Sequence, residues 1–134
     1  MQHFSERLRF NYDYRLVEVS PSKNIDPMKQ RDDESKKILE HLHKLSDNKI
    51  LLDEKGESIT SVEFSELLNK AKDHGASLTF VLGGSYGVND EVRSAVTHSL
   101  RLSDMTFPHE FCALIFLEQI YRAAEIQKGT GYHH

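Results

Sequence analysis

Paired glycines follow a short apolar run in the last third of the chain, at Gly83 and Gly84. Glycine lets the main chain come very close to a bound molecule, because it has no Cβ. A strand that stops at such glycines and leads into a helix is a general device for binding nucleotides. Taken alone, the pair also fits an ordinary tight turn. Its surroundings, Gly-Gly-Ser-Tyr-Gly, match neither the G-x-G-x-x-G spacing nor a phosphate-binding loop with its lysine.

A second segment, Leu102-Ser-Asp-Met-Thr-Phe-Pro-His109, mixes hydroxyl side chains and a proline with apolar residues. This composition suits neither a regular helix nor a regular strand. Its apolar side chains suit a flat slot such as an adenine ring requires, with backbone amides at the rim. The chain closes with Tyr132-His133-His134, which places an aromatic ring beside imidazoles that could contact a base and accept a proton.

Together with Leu117-Glu-Gln-Ile-Tyr-Arg-Ala123, these segments resemble the SPOUT (trefoil-knot) methyltransferases. The subfamily they resemble methylates N3 of a pseudouridine in large-subunit (23S) ribosomal RNA. The resemblance is close from about Ile50 to His134 and looser from Phe4 to Lys49. It implies S-adenosyl-L-methionine as methyl donor, ribosomal RNA or an assembled ribosome as substrate, and a homodimer with the site near its interface.

The resemblance also implies roles for particular residues. The matching cofactor-binding positions are Leu52, Gly83, Leu102, Ser103, Asp104, Met105, Thr106 and Phe107. The acceptor N3 carries a proton that must leave, and the candidates for accepting it are His109 and His133. Tyr132 is expected to stack on the base or to bond to it. The Asp104 carboxylate is more simply interpreted as a solvated loop group.

The composition is that of one ordinary globular domain, residues 1–134. A net charge of −4 is not typical of a protein that binds RNA through its phosphates, so an RNA substrate requires a local basic patch or a partner surface. The longest apolar run, Phe111–Leu117, is far shorter than the ~20 residues that span a bilayer. Cys112 has no second cysteine to pair with. We therefore expect a cytoplasmic protein with no membrane contact. No metal is expected, because no histidine pair has ligand spacing with further ligands.

Strand and helix patterns alternate along the chain, which predicts an α/β domain with a mainly parallel sheet flanked by helices. The expected strands are Tyr12–Val19, Lys49–Asp53, Leu78–Leu82 and Met105–Phe107. The expected helices are the tail of one at His3–Arg9, then Asp32–Leu45, a helix from the capping box Thr60–Glu63 to Gly75, Asp90–Ser99 and His109–Lys128. The C-terminal trefoil knot is implied by the resemblance alone. Since the chain starts inside the segment that matches the family's first helix, the presence of the family's first strand stays open.

Two other kinds of protein fit parts of the sequence. One is a non-catalytic, flavodoxin-like nucleotide-binding module that uses the Gly83-Gly84 turn, although such a module has no reason to carry the Leu102–His109 segment. The other is a catalytically silent, dimeric interaction protein. The run Phe111–Leu117 is apolar nearly all round, which favours a partner subunit over its second side, and a helix buried in its own domain is the alternative.

Overall fold

A computed structural model describes residues 15–134, in which it contains four helices and three strands. In chain order these elements are α1 (Pro27–Leu42), β1 (Asn48–Ser58), α2 (Ser61–Asp73), β2 (Leu78–Leu82), α3 (Asp90–Ala95), β3 (His98–Arg101) and α4 (His109–Lys128). The helix tail predicted at His3–Arg9 lies outside the described residues.

The three strands form a parallel sheet in the order β2-β1-β3. At the end of the regular part of β1, Leu52 is the register partner of Leu82 in β2 and of Leu100 in β3. Parallel strands of one sheet need crossover connections, which α2 supplies between β1 and β2 and α3 supplies between β2 and β3. The carboxyl ends of all three strands therefore lie at one edge of the sheet.

The central strand changes its register on β3 between Leu52 and Glu57. Leu100 is the partner of both residues. A strand residue can pair with one neighbouring strand on each of its two edges, so Leu52 and Glu57 lie on opposite sides of Leu100. The chain of β1 therefore crosses β3 between Leu52 and Glu57. Gly56 lies at this crossing, where an added Cβ would stand 2.6 Å from the carbonyl carbon of Leu100. No side chain fits at that distance.

Helices cover both faces of the sheet. On one face, Ile38 and Leu42 of α1 and Val92 of α3 pack with Leu51 and Val81 of the strands. Side chains alternate between the two faces along each strand, so the neighbouring strand residues point toward the other pair of helices. The result is a three-layer arrangement with the sheet in the middle.

The second face is built around three phenylalanine rings, Phe64 of α2, Phe80 of β2 and Phe116 of α4. Their centroids lie 4.9 to 6.0 Å apart in edge-on or tilted arrangements, which aromatic rings prefer to flat stacking. Leu52 and Leu102 pack against this cluster from the carboxyl edge of the sheet. Two predicted cofactor-binding residues are therefore fixed by the core itself.

Side chains cap the starts of the first three helices. The predicted capping box is confirmed, since Thr60 and Glu63 each accept a hydrogen bond of 3.1 Å from the other's amide. Asn89 caps α3 as predicted. The first helix begins earlier than the predicted Asp32, because Asp26 caps it and Pro27 takes the first position, where a missing N–H costs nothing.

The region between α3 and α4 differs from the prediction. The helix expected over Asp90–Ser99 ends at Ala95, since Val96 is already extended with φ −101° and ψ 154°. The chain then forms β3 over His98–Arg101, which the sequence analysis did not predict. The short strand predicted at Met105–Phe107 is wrong, because this segment is an irregular loop.

The strand predicted at Tyr12–Val19 is wrong for its described part, because Arg15–Val19 has no regular structure. Its first residues, 12–14, lie outside the described chain. The predicted fold class is nevertheless confirmed: helices flank a parallel sheet on both sides. The trefoil knot stays a prediction.

Candidate active site

The predicted cofactor-binding residues converge because of strand register. Gly83 directly follows Leu82, and Leu102 lies two residues past Leu100. Since Leu82 and Leu100 are the partners of Leu52 on its two sides, the three sites line one edge of the sheet. Adjacent strands are about 4.8 Å apart, so the edge from β2 to β3 spans about 10 Å, roughly the width of a purine nucleoside. Open α/β sheets bind ligands at such carboxyl ends.

The loop after β2 is a tight turn over Gly84–Gly87. The Gly87 amide donates to the Gly84 carbonyl at 3.1 Å, and Gly87 has a φ of 73°. A Cβ on Gly83 would lie 3.0 Å from the carbonyl carbon of Gly87 and 3.1 Å from a methyl of Val88. The absence of a side chain at Gly83 therefore lets the loop fold onto itself. This reason differs from the expected one, close approach of the backbone to the ligand.

The first helix, α1, packs against the same loop. Ser35, which is fully buried, accepts a hydrogen bond of 3.0 Å at its Oγ from the amide of Asn89. A Cβ on Gly84 would meet the carboxylate of Glu34, with 2.6 Å to Oε1. Because that oxygen ends a flexible side chain, it can move aside. The two neighbouring glycines are thus under different constraints.

Arg93, which was not among the predicted site residues, connects the chain after Leu52 to the end of the glycine loop. Arg93 of α3 donates from Nε to the Asp53 carboxylate at 3.0 Å and from Nη1 to the Val88 carbonyl at 2.8 Å. The hydrogen bond that Arg93 donates to Asp53 raises the pKa of the Arg93 guanidinium. This link fixes the residue after Leu52 relative to the end of the glycine loop. Nothing in the local sequence of α3 distinguishes Arg93 from a solvated surface residue.

The loop between β3 and α4 presents backbone donors at this edge. Met105 donates its amide to Ser103 Oγ at 3.0 Å, and Asp104 forms an ion pair of 3.1 Å with Arg101. Within residues 15–134, no recorded hydrogen bond uses the amides of Asp104, Thr106 or Phe107. The Met105 side chain is 73% exposed, whereas Leu102 and Phe107 are half-buried. The loop therefore offers unpaired N–H groups beside an apolar surface.

His109 lies next to the glycine loop. It is the first residue of α4, and its Nδ1 is 3.1 Å from the hydroxyl of Ser85 at the tip of the turn. A hydroxyl both donates and accepts, so this contact leaves the tautomer of His109 open. Of the three predicted catalytic residues, His109 is the one that the described chain places beside the cofactor-binding edge.

The C-terminal residues Tyr132 and His133 fold back against α4. The Tyr132 hydroxyl donates to Glu118 Oε1 at 3.0 Å, and its ring meets that of Tyr121 edge-on with centroids 5.0 Å apart. His133 Nδ1 lies 3.1 Å from Nη1 of Arg122. Glu118 and Arg122 lie in the Leu117–Ala123 segment that resembles the family, but the resemblance implies no role for either residue.

The two groups of predicted catalytic residues are far apart in one protomer. His109 begins α4, and Arg122, the contact of His133, lies thirteen positions further along the same helix. At 1.5 Å per residue this is about 20 Å. A single base held at the sheet edge of one protomer therefore cannot contact both His109 and the docked His133 of that protomer.

Comparison with known proteins identifies the family of this chain. The family model described as "Predicted SPOUT methyltransferase" matches residues 1–133. The chain belongs to the SPOUT methyltransferase family. The family prediction made from the glycine loop, the Leu102–His109 segment and the C-terminal pair is thereby confirmed.

Several relatives of this SPOUT chain carry the name ribosomal RNA large subunit methyltransferase H. One, from Maridesulfovibrio salexigens, is 43% identical over 135 residues, which cover 98% of this chain and 85% of the relative. Another, from Flavobacterium psychrophilum, is 37% identical with the same coverage of both chains. A third, from Trichlorobacter lovleyi, is 48% identical over 96 residues, or 69% of this chain and 63% of the relative.

In residues 15–134 there is no group of three or more histidine, cysteine, aspartate or glutamate side chains placed to hold a metal ion. None of the helices α1 to α4 is long and apolar enough to cross a membrane.

Proposed function

We propose that this protein is an S-adenosylmethionine-dependent methyltransferase that methylates N3 of a pseudouridine in large-subunit ribosomal RNA. The observation that carries the proposal is the alignment of Leu52, Gly83 and Leu102 by strand register at one sheet edge. These positions come from three distant parts of the sequence. A family that binds its methyl donor at such an edge requires this convergence.

The residues at this edge fit the methyl donor chemically. The amides of Asp104, Thr106 and Phe107, which have no hydrogen-bond partner within residues 15–134, suit the hydrogen-bonding edge of an adenine, and Leu52 and Leu102 supply an apolar wall. When bound, S-adenosylmethionine supplies the methyl group that is transferred. The protein's contribution is alignment, which the Arg93 link between strand ends and the packed glycine loop would maintain.

The acceptor base is proposed to be contacted by two histidines, of which His109 is free to take the N3 proton. His109 borders the cofactor-binding edge through its contact with Ser85. Tyr132 and His133 are docked about 20 Å along the helix. A homodimer with its site near the interface would allow both groups to reach one base, if the C-terminal pair of the partner subunit faces the edge.

We propose ribosomal RNA within a ribosomal particle as the substrate and the cytoplasm as the location. The relatives' names support the choice of large-subunit ribosomal RNA. A net charge of −4 makes strong binding to free RNA through phosphates alone unexpected. An assembled particle would supply additional contacts.

Calorimetry with S-adenosylmethionine followed by transfer of a labelled methyl group to ribosomes tests the proposal. The expected results are micromolar binding and incorporation at a pseudouridine. Binding without incorporation on ribosomes or on free ribosomal RNA would favour a non-catalytic nucleotide-binding module. Absence of binding would favour a catalytically silent interaction protein.

A further inference from the structure

The C-terminal tail is held by a compact polar cluster on α4. Glu118 Oε1 accepts two hydrogen bonds, from Arg122 Nε at 2.9 Å and from the Tyr132 hydroxyl at 3.0 Å, and forms an ion pair of 2.8 Å with Arg122 Nη2. The Arg122 guanidinium also lies over the Tyr132 ring, 4.8 Å from its centroid. The members are half-buried. We call Glu118, Arg122, Tyr132 and His133 the tail cluster.

The contact between Arg122 and His133 has only one possible direction. A guanidinium has five N–H donors and no acceptor. At 3.1 Å from Arg122 Nη1, the Nδ1 of His133 must therefore be the acceptor and carry no proton. An imidazolium has a proton on both nitrogens, so this contact requires the neutral ring with its proton on Nε2.

Arg122 is itself held in place by Glu118, so the group that it presents to His133 is always an N–H donor. Its Nε and Nη2 are taken by Glu118 on one side, and its Nη1 is left to face the imidazole. Burial and the hydrogen bond to Glu118 raise the pKa of the Tyr132 hydroxyl, so this group remains a donor and adds to the hold on Glu118. Glu118 thus orients Arg122, and Arg122 in turn sets the acceptor role of His133 Nδ1.

We propose that Arg122 is a positioning residue that holds His133 as its neutral Nε2–H tautomer, so that His133 offers the acceptor base a hydrogen-bond donor and does not take the N3 proton. The inference rests on the proposed function, in which the C-terminal pair engages the base. Among residues 15–134, no recorded hydrogen bond uses Nε2 of His133, so this N–H is available to a ligand. The corresponding contact of His109 is with a hydroxyl, which leaves that imidazole able to accept a proton.

The tautomer is tested by nitrogen-15 correlation spectra of the histidine rings in mildly alkaline buffer, where imidazoles are neutral. The His133 signals are assigned by their loss in His133→Gln. We expect the Nε2–H pattern in the unmodified chain and in Arg122→Lys, whose ammonium also only donates. Arg122→Met should give a mixture of tautomers. The control Arg31→Met removes an arginine that pairs with Asp32 away from the tail and should change nothing.

Two results of this spectrum would overturn the positioning role. One is a proton on Nδ1 of His133 in the unmodified chain. The other is an Arg122→Met spectrum identical to that of the unmodified chain. Both are read without cofactor or RNA, so they decide the role of Arg122 whatever the enzyme's substrate is.

The donor role is tested by methyl transfer to ribosomes with His133→Gln and His133→Ala. The amide N–H of glutamine can replace an Nε2–H donor but cannot act as a base at neutral pH. We expect His133→Gln to retain activity within about tenfold and His133→Ala to lose clearly more. A general base contributes about 10²–10⁴-fold, so an equal loss of that size in both variants would overturn the donor role. If the unmodified chain transfers no methyl group, the proposed function fails and the donor role with it, while the spectrum still decides the tautomer.

Discussion

Two adjacent glycines at the predicted cofactor-binding edge have different requirements, although the sequence presents them as a pair. The space beside Gly83 is filled by backbone of Gly87 and by Val88, which cannot move without opening the turn. The space beside Gly84 is filled by the end of the Glu34 side chain, which can rotate away. A glycine is required only where the atoms that its Cβ would contact cannot move.

We expect Gly83→Ala to weaken S-adenosylmethionine binding by about tenfold or more, equivalent to about 1.4 kcal/mol. The added methyl would push Gly87 and Val88 away and change the shape of the loop at the sheet edge. Gly84→Ala is the matched control and should change the affinity by less than about threefold, equivalent to about 0.6 kcal/mol. Calorimetry on both folded variants measures this difference. Equal affinities for the two variants would show that the loop does not shape the cofactor site.

At the scale of elements, β1 has two functions. Its first part is the centre of the sheet, and its second part crosses β3 at Gly56 before α2 begins. The crossing places backbone directly against Leu100, two residues before the predicted cofactor-binding loop. The shape of that loop therefore depends on how tightly the crossing packs.

We expect Gly56→Ala to destabilise the protein by about 1–3 kcal/mol, the usual cost of forcing atoms into a packed region. The obstructing atoms are backbone of Ser99 and Leu100, which cannot rotate out of the way. Lys55→Ala, at the exposed neighbouring position, is the control and should stay within about 0.5 kcal/mol of the unmodified chain. Denaturant unfolding compares the two. A Gly56→Ala protein as stable as the control would mean that the crossing is looser than described.

The sequence predicted those elements whose signals are local. The strand Leu78–Leu82 and the helix His109–Lys128 were predicted with their observed bounds, because an apolar run before glycines and a proline before a long apolar pattern mark them. The strand His98–Arg101 was missed, because three of its four side chains are polar or charged and its pairing with β1 is decided by tertiary contacts.

The candidate site could be predicted only through its resemblance to a family. Residues at strand ends were found from their motifs, yet the convergence of Leu52, Gly83 and Leu102 depends on register, which no local pattern contains. The contacts of Arg93 and Arg122 were not predictable either. Each is one of many charged residues on helices, and its partner lies on another element or in the tail.

At the scale of the whole molecule, the predicted cofactor-binding edge and the C-terminal pair Tyr132-His133 lie at different places along α4. The tail contacts Glu118, Tyr121 and Arg122, and none of these belongs to the sheet edge. We expect deletion of residues 130–134 to leave the affinity for S-adenosylmethionine within about twofold and to reduce methyl transfer by about 10²-fold or more. Calorimetry and transfer of labelled methyl groups to ribosomes measure the two effects. Full activity of the shortened chain would remove Tyr132 and His133 from the mechanism.

Self-association is expected to involve the first turns of α4, near His109, whose side chain contacts the glycine loop. Phe116 and Leu117 are buried within the protomer, whereas Phe111 is 57% exposed. A large exposed aromatic ring at the end of an apolar run such as Phe111–Leu117 is typical of the centre of an interface, where truncating one such residue costs about 2 kcal/mol or more. Because Phe111 is exposed, a charge placed there does not enter the core of the protomer.

We therefore expect Phe111→Asp to give a folded monomer, since an unpaired carboxylate would be desolvated in the interface. Met28→Asp is a matched control, because Met28 is 55% exposed on α1 and should leave a dimer intact. Light scattering at micromolar concentration reports the mass of all three proteins. A monomeric unmodified chain would contradict the dimer, and a dimeric Phe111→Asp variant would place the interface elsewhere. If the partner's tail completes the site, the monomer should bind S-adenosylmethionine yet transfer no methyl group.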